Sequence, residues 1–90
     1  MNRERIAERL LDILTADAFA SLAVARSSVT DETSLLNDLG FDSIHLLDFV
    51  VAIEHAFGFR VSAQTLDVEM FDRFGRVIDF VAAGLATSEP

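Results

Sequence analysis

The sequence predicts an all-α fold, a small helix bundle. Three observations carry that prediction. Apolar residues recur at helical spacing in three separate segments. The single proline is Pro90, so no ring interrupts a helix in the body of the chain. The one strand-like stretch, Phe59 to Ser62, has no evident partner strand.

The first helix is expected from about Arg3 to Ala20. Ile6, Leu10, Ile13 and Leu14 share one face, and Arg5, Glu8, Arg9 and Asp12 take the other. Asn2 is placed to cap it, with Glu4 in the first turn. Ser27 to Phe41 reads as a long connection rich in Ser, Thr and Asp, whose side chains bond to nearby backbone. Leu35, Leu36 and Leu39 inside it imply that the connection is pinned to the core. A short helical turn is expected at Ser34 to Leu39, stopped by Gly40.

The second helix is expected from Ser43 to Phe57 and ends at Gly58. Leu46, Phe49, Val50, Ile53 and Phe57 form its core stripe. Ile44, Asp48, Val51 and His55 fall on the opposite side, flanked by Leu47 and Glu54, so apolar residues stand where water should be. A single helical turn is expected at Ser62 to Leu66, with Ser62 as cap. The last helix is expected from Asp72 to Ala83. Phe74, Val77, Ile78 and Val81 line its core side and Gly84 caps its end. Residues 86–90 read as a flexible tail.

Composition excludes several functions. A chain of 90 residues holds one small domain. It has no cysteine, which excludes disulfide scaffolds, cysteine nucleophiles and cysteine zinc sites. Fifteen acidic residues against seven basic ones give a net charge of −8, unsuited to nucleic acid or to anionic membrane surfaces. The N-terminus lacks the apolar centre of a signal peptide, and no apolar run is long enough to span a bilayer. A cytoplasmic monomer is expected.

Ser43 is the residue most open to chemistry. It opens a helix, where unpaired N–H groups and the macrodipole favour an attached phosphate. Ser and Asp are also the commonest helix caps, so position alone makes Asp42 or Ser43 a cap. Two further features point elsewhere. The leucine-pinned connection delivers Leu39-Gly40-Phe41-Asp42-Ser43 as one block. The helix that follows carries Ile44, Leu47 and Val51 as an apolar stripe at i, i+3 and i+7, and a bundle this small has too few elements to cover both sides of one helix.

The stretch Thr33-Ser34-Leu35-Leu36-Asn37-Asp38-Leu39-Gly40-Phe41-Asp42-Ser43-Ile44 resembles the modification-site signature of acyl carrier proteins. The resemblance covers about residues 6 to 83, including the Phe57-Gly58-Phe59-Arg60-Val61 exit and Phe80-Val81. It implies a four-helix bundle with a short third helix, formed by residues 1–85. It also implies 4′-phosphopantetheine on Ser43, installed by a phosphopantetheinyl transferase using coenzyme A and Mg²⁺. The arm's thiol would hold acyl groups as thioesters, so the reactive sulfur is imported and the chain itself is no enzyme. Asp42 matches the acidic residue that the transferase recognises. Ile44, Leu47 and Val51 match the family's apolar partner contacts, and Asp48 and Glu54 its acidic ones. Further partners implied are a loading acyltransferase or adenylating ligase, then a ketosynthase or another downstream enzyme.

The chain departs from the fatty-acid type. His45 and His55 occupy positions that are often acidic there, and Val61 to Phe80 looks more like discrete carriers of polyketide or nonribosomal pathways. Polyketide or related natural-product biosynthesis is therefore the expected setting. An aminoacyl or peptidyl carrier and an unmodified helical adaptor are the rival readings; Phe41 before Asp42-Ser43 favours acyl cargo. A serine hydrolase is disfavoured, because no Gly-x-Ser-x-Gly elbow exists. No metal site is expected: His45 and His55 are ten residues apart, roughly 15 Å along one helix, and read as surface histidines.

Overall fold

The computed structural model describes residues 1–62 and 66–87. Three α-helices carry the fold: α1 (Arg3–Leu14), α2 (Ser43–Phe57) and α3 (Phe74–Thr87). Three short 3-10 helices lie between them, at Asp17–Leu22, Arg26–Ser28 and Val68–Asp72. Among the described residues there is no strand.

The predicted stripes build one core. Ile6, Leu10 and Leu14 of α1 meet Phe49, Ile53 and Phe57 of α2 and Phe74, Val77, Ile78 and Val81 of α3. Ile13, Leu46 and Val50 pack at its margin, half-buried. Asn2 caps α1 as expected, its side chain accepting the Arg5 N–H at 2.9 Å.

Helix α1 stops at Leu14 and does not continue to Ala20. The Thr15 hydroxyl donates to the Leu11 carbonyl at 2.8 Å, and Ala16 turns to extended backbone. A continuous helix would carry Phe19 about 140° around from Leu14, off the core face. The break instead lets Phe19 stack on Phe41 at 5.5 Å and meet Phe49 edge-on at 5.9 Å.

The connection before α2 is pinned, as its leucines required. Leu35 is fully buried. A single hydrogen-bonded turn forms where one was expected, with the Asp38 N–H donating to the Ser34 carbonyl at 2.8 Å, and Gly40 follows at φ +74°. The connection also bonds to the segment that enters α3. Leu35 N–H donates to the Phe71 carbonyl at 2.9 Å, Phe74 N–H to Thr33 at 2.8 Å and Gly75 N–H to Asp31 at 2.9 Å. The Ser34 hydroxyl bonds the Asp72 carboxylate at 3.2 Å. Amides of the first helical turn have no partner inside the helix; here carbonyls of the connection take the place of a side-chain cap.

Helix α3 therefore begins at Phe74 rather than Asp72, which belongs to the 3-10 helix Val68–Asp72. It also runs past Gly84 to Thr87, so Gly84 is an interior residue and not a cap. Of the expected tail, residues 86 and 87 are helical and 88–90 lie outside the described residues. The turn expected at Ser62 to Leu66 rests on residues 63–65, also outside them; the Leu66 N–H donates to the Ser62 carbonyl at 3.1 Å.

Candidate functional site: the head of the second helix

The site is assembled from the connection upward. Gly40 permits the left-handed turn that swings Phe41 inward. The Phe41 N–H then bonds the Leu35 carbonyl at 3.0 Å, and its ring is locked between Phe19 and Phe49. With Phe41 anchored, the next two residues must emerge at the surface.

Asp42 caps α2, and Ser43 is the first helical residue. The Asp42 carboxylate accepts the His45 N–H at 2.9 Å, and His45 Nδ1 accepts the Asp42 N–H at 3.2 Å, which closes a capping box. The His45 N–H, more than any other contact, holds the Asp42 carboxyl below the ordinary carboxylate range, and the Ile44 N–H adds to it. Because Asp42 does the capping, the Ser43 hydroxyl is left exposed and without a hydrogen-bond partner among the described residues.

Below Ser43 the apolar stripe is open. Ile44, Leu47 and Val51 are 66%, 64% and 50% exposed. Asp48 is exposed among them. Glu54 is placed differently: it is half-buried, and its Oε2 accepts the Val61 N–H at 2.8 Å, holding the exit from α2. Asp42 and Ser43 thus stand at the head of α2, exposed Ile44, Leu47, Asp48 and Val51 run down the helix from them, and Glu54 is engaged nearer its far end.

The two histidines separate. His55 is exposed, as expected. His45 is not a surface residue: its side chain is 19% exposed, and its ring lies 5.6 Å from Phe41 and 6.1 Å from Phe19. The Asp42-x-x-His45 spacing is that of a capping box, and His in place of the usual Glu or Gln hides it. The described residues contain no cluster of three or more His, Asp or Glu that could hold a metal, and no helix long and apolar enough to cross a membrane.

Fold and site together define a class: a small all-helical module that displays one unengaged hydroxyl at the head of a helix with an open apolar side. Residues 6–81 match the family described as "Phosphopantetheine attachment site". The chain is 32% identical over 87 residues to an acyl carrier protein of Coprothermobacter proteolyticus, covering 97% of this chain and 99% of that one. It is 33% identical over 91 residues to an acyl carrier protein of Saccharopolyspora erythraea (98% and 90%) and 36% identical over 81 residues to one of Lactobacillus acidophilus (90% and 94%). The chain belongs to the acyl carrier protein family. Members of this family are carriers, generally non-catalytic, with covalently attached 4′-phosphopantetheine. They interact with phosphopantetheinyl transferase and with acyl-handling enzymes.

Proposed function

We propose that Ser43 is the attachment residue, and that the chain carries acyl intermediates in polyketide or related natural-product biosynthesis. The observation that supports the attachment reading is the exposed Ser43 hydroxyl, left free because Asp42 and His45 close the helix cap between them. A phosphodiester on that oxygen would sit at the positive end of the α2 macrodipole. When attached, the arm supplies a thiol that holds acyl groups as thioesters. The chain's own residues anchor the turn and leave the oxygen in solvent.

Docking falls to Asp42, Ile44, Leu47, Asp48, Val51 and Glu54. Ile44, Leu47 and Val51 offer apolar area to a partner, and Asp48 steers encounter with basic surfaces more than it tightens the complex. Glu54 contributes through the oxygen not committed to Val61. The natural-product reading draws support from the sparse acidity of α2, whose interior acids are Asp48 and Glu54 beside His45 and His55. Such a helix is a weaker lure for strongly basic partners. We read the 3-10 helix Val68–Asp72 as the counterpart of the family's short third helix, and the protein as a cytoplasmic monomer. The loading partner would be an acyltransferase or adenylating ligase, and the receiving one a ketosynthase or other downstream enzyme.

The test is intact mass after incubation with coenzyme A, Mg²⁺ and a broad-specificity transferase. Wild type should gain one phosphopantetheine group and Ser43→Ala none. A gain that persists in Ser43→Ala moves the site elsewhere, and no gain on wild type leaves the unmodified adaptor. Intact mass of protein purified from its native host then reads the cargo, with an aminoacyl mass favouring the peptidyl-carrier alternative.

A further inference from the structure

His45 is a partly buried ionisable side chain at the site, and the reading above uses it only to close the helix cap. It occupies the third helical position of α2 and closes the capping box through Nδ1. Accepting the Asp42 N–H requires Nδ1 to be unprotonated, which puts the ring proton on Nε2. Glu and Gln are the usual residues here, and they close the box with a flexible chain. An imidazole closes it with a rigid ring, and that ring also packs.

Its neighbours come from two other elements. Phe19 belongs to the 3-10 helix Asp17–Leu22, and Phe41 ends the leucine-pinned connection. The ionisable side chains of those elements, Asp17, Asp31, Glu32 and Asp38, are exposed; Asp31 and Glu32 pair with Arg3 and Arg73, and Asp38 is engaged by the Ser34 N–H at 2.8 Å. The charged group in contact with the ring is the Asp42 carboxylate, 3.1 Å from Nδ1. His45 thus ties together the backbone before Ser43, the first turn of α2 and the aromatic floor of Phe19, Phe41 and Phe49.

We propose that His45 is a positioning residue for the modification of Ser43: its hold on the Asp42 N–H fixes the backbone of residues 41–43 so that the Ser43 hydroxyl points out to the transferase. This rests on Ser43 being the attachment residue. The transferase does the chemistry, and His45 acts on it only through Asp42 and the helix start.

Two variants separate the ring from its acceptor. His45→Gln keeps an acceptor at the third helical position and gives up the ring. His45→Phe keeps a ring over Phe19 and Phe41 and gives up the acceptor; His45→Leu is a second acceptor-free variant should the larger ring disturb folding. Each is read by thermal melting, by hydrogen exchange at the Asp42 N–H and by the initial rate of mass gain with coenzyme A and the transferase. His45→Phe should stay folded, lose protection at Asp42 and be modified about tenfold more slowly, the factor that a lost cap contact of ordinary strength produces. His45→Gln should stay within about twofold of wild type on the same scale. A folded acceptor-free variant modified at the wild-type rate overturns the proposal, and so does His45→Gln as slow as His45→Phe. The exchange measurement needs no transferase. If the Asp42 N–H exchanges equally fast in wild type and His45→Phe, the positioning role is wrong even with Ser43 modified normally. If that N–H is protected but wild type gains no mass, the attachment reading is wrong and the positioning role goes with it.

Discussion

Gly84 of α3 lies directly against the ring of Phe59: a Cβ built on Gly84 would stand 2.6 Å from Phe59 Cζ and 2.8 Å from Cδ2. Phe59 is buried and also meets Phe80 at 6.4 Å, so its ring has little freedom to retreat. Glycine inside a helix ordinarily costs about 0.5–1 kcal/mol relative to alanine. Here it admits an aromatic ring onto the helix backbone. Gly84→Ala should therefore destabilise the domain by roughly 1–3 kcal/mol, the range of an overpacked core. Urea unfolding checks this, and a more stable variant would show that the ring moves aside freely.

Leu47→Asp and Val51→Asp should behave oppositely. Both side chains are at least half exposed, so each change should leave stability within about 0.5 kcal/mol of wild type. Transfer of acyl groups to and from partner enzymes should weaken. Loss of helicity by circular dichroism in either variant would show that this side of α2 is core.

Asp42 links the site to pH. Its folded-state pKa is lowered, chiefly by the His45 N–H. A lowered carboxylate pKa stabilises the fold above the unfolded-state value, and the contribution disappears as pH falls through the folded-state one. Wild type should thus melt above Asp42→Ala at neutral pH, and the gap should close as pH drops below about 4. Paired melting curves from pH 7 downward measure it; a gap that widens on acidification would contradict the sign.

Leu35→Ala tests the anchor of the connection. Leu35 is fully buried, and its N–H bonds Phe71 while its carbonyl receives the Phe41 N–H. Removing the side chain should cost about 2–5 kcal/mol. Modification of Ser43 should slow beyond what the folded fraction explains, because Phe41 is positioned from Leu35. Transferase rates normalised to folded protein under conditions of partial stability would expose a purely global effect.

The legible part of the fold was its stripes. Ile6, Leu10 and Leu14, then Phe49, Ile53 and Phe57, then Phe74, Val77, Ile78 and Val81 repeat at the spacing that one helix face requires, and all of them are buried. The helix ends were less legible, because ends are decided by distant partners. Nothing local to Ala16 announces that Phe19 will be needed against Phe41. Nothing local to Gly84 distinguishes a cap from a seat for Phe59.

The candidate site divides in the same way. Order along the chain determined that Ser43 heads a helix, that Ile44, Leu47 and Val51 share a side, and that Asp42 precedes them, since each follows from spacing of about 100° per residue. Tertiary structure alone decided that His45 turns inward onto Phe19 and Phe41 and that Glu54 is drawn to Val61, whereas the choice of Asp42 over Ser43 as the cap is settled locally by its two bonds with His45. Periodicity specifies direction around one axis, whereas a hydrogen bond or a ring contact depends on which atoms the rest of the chain brings within about 3–6 Å.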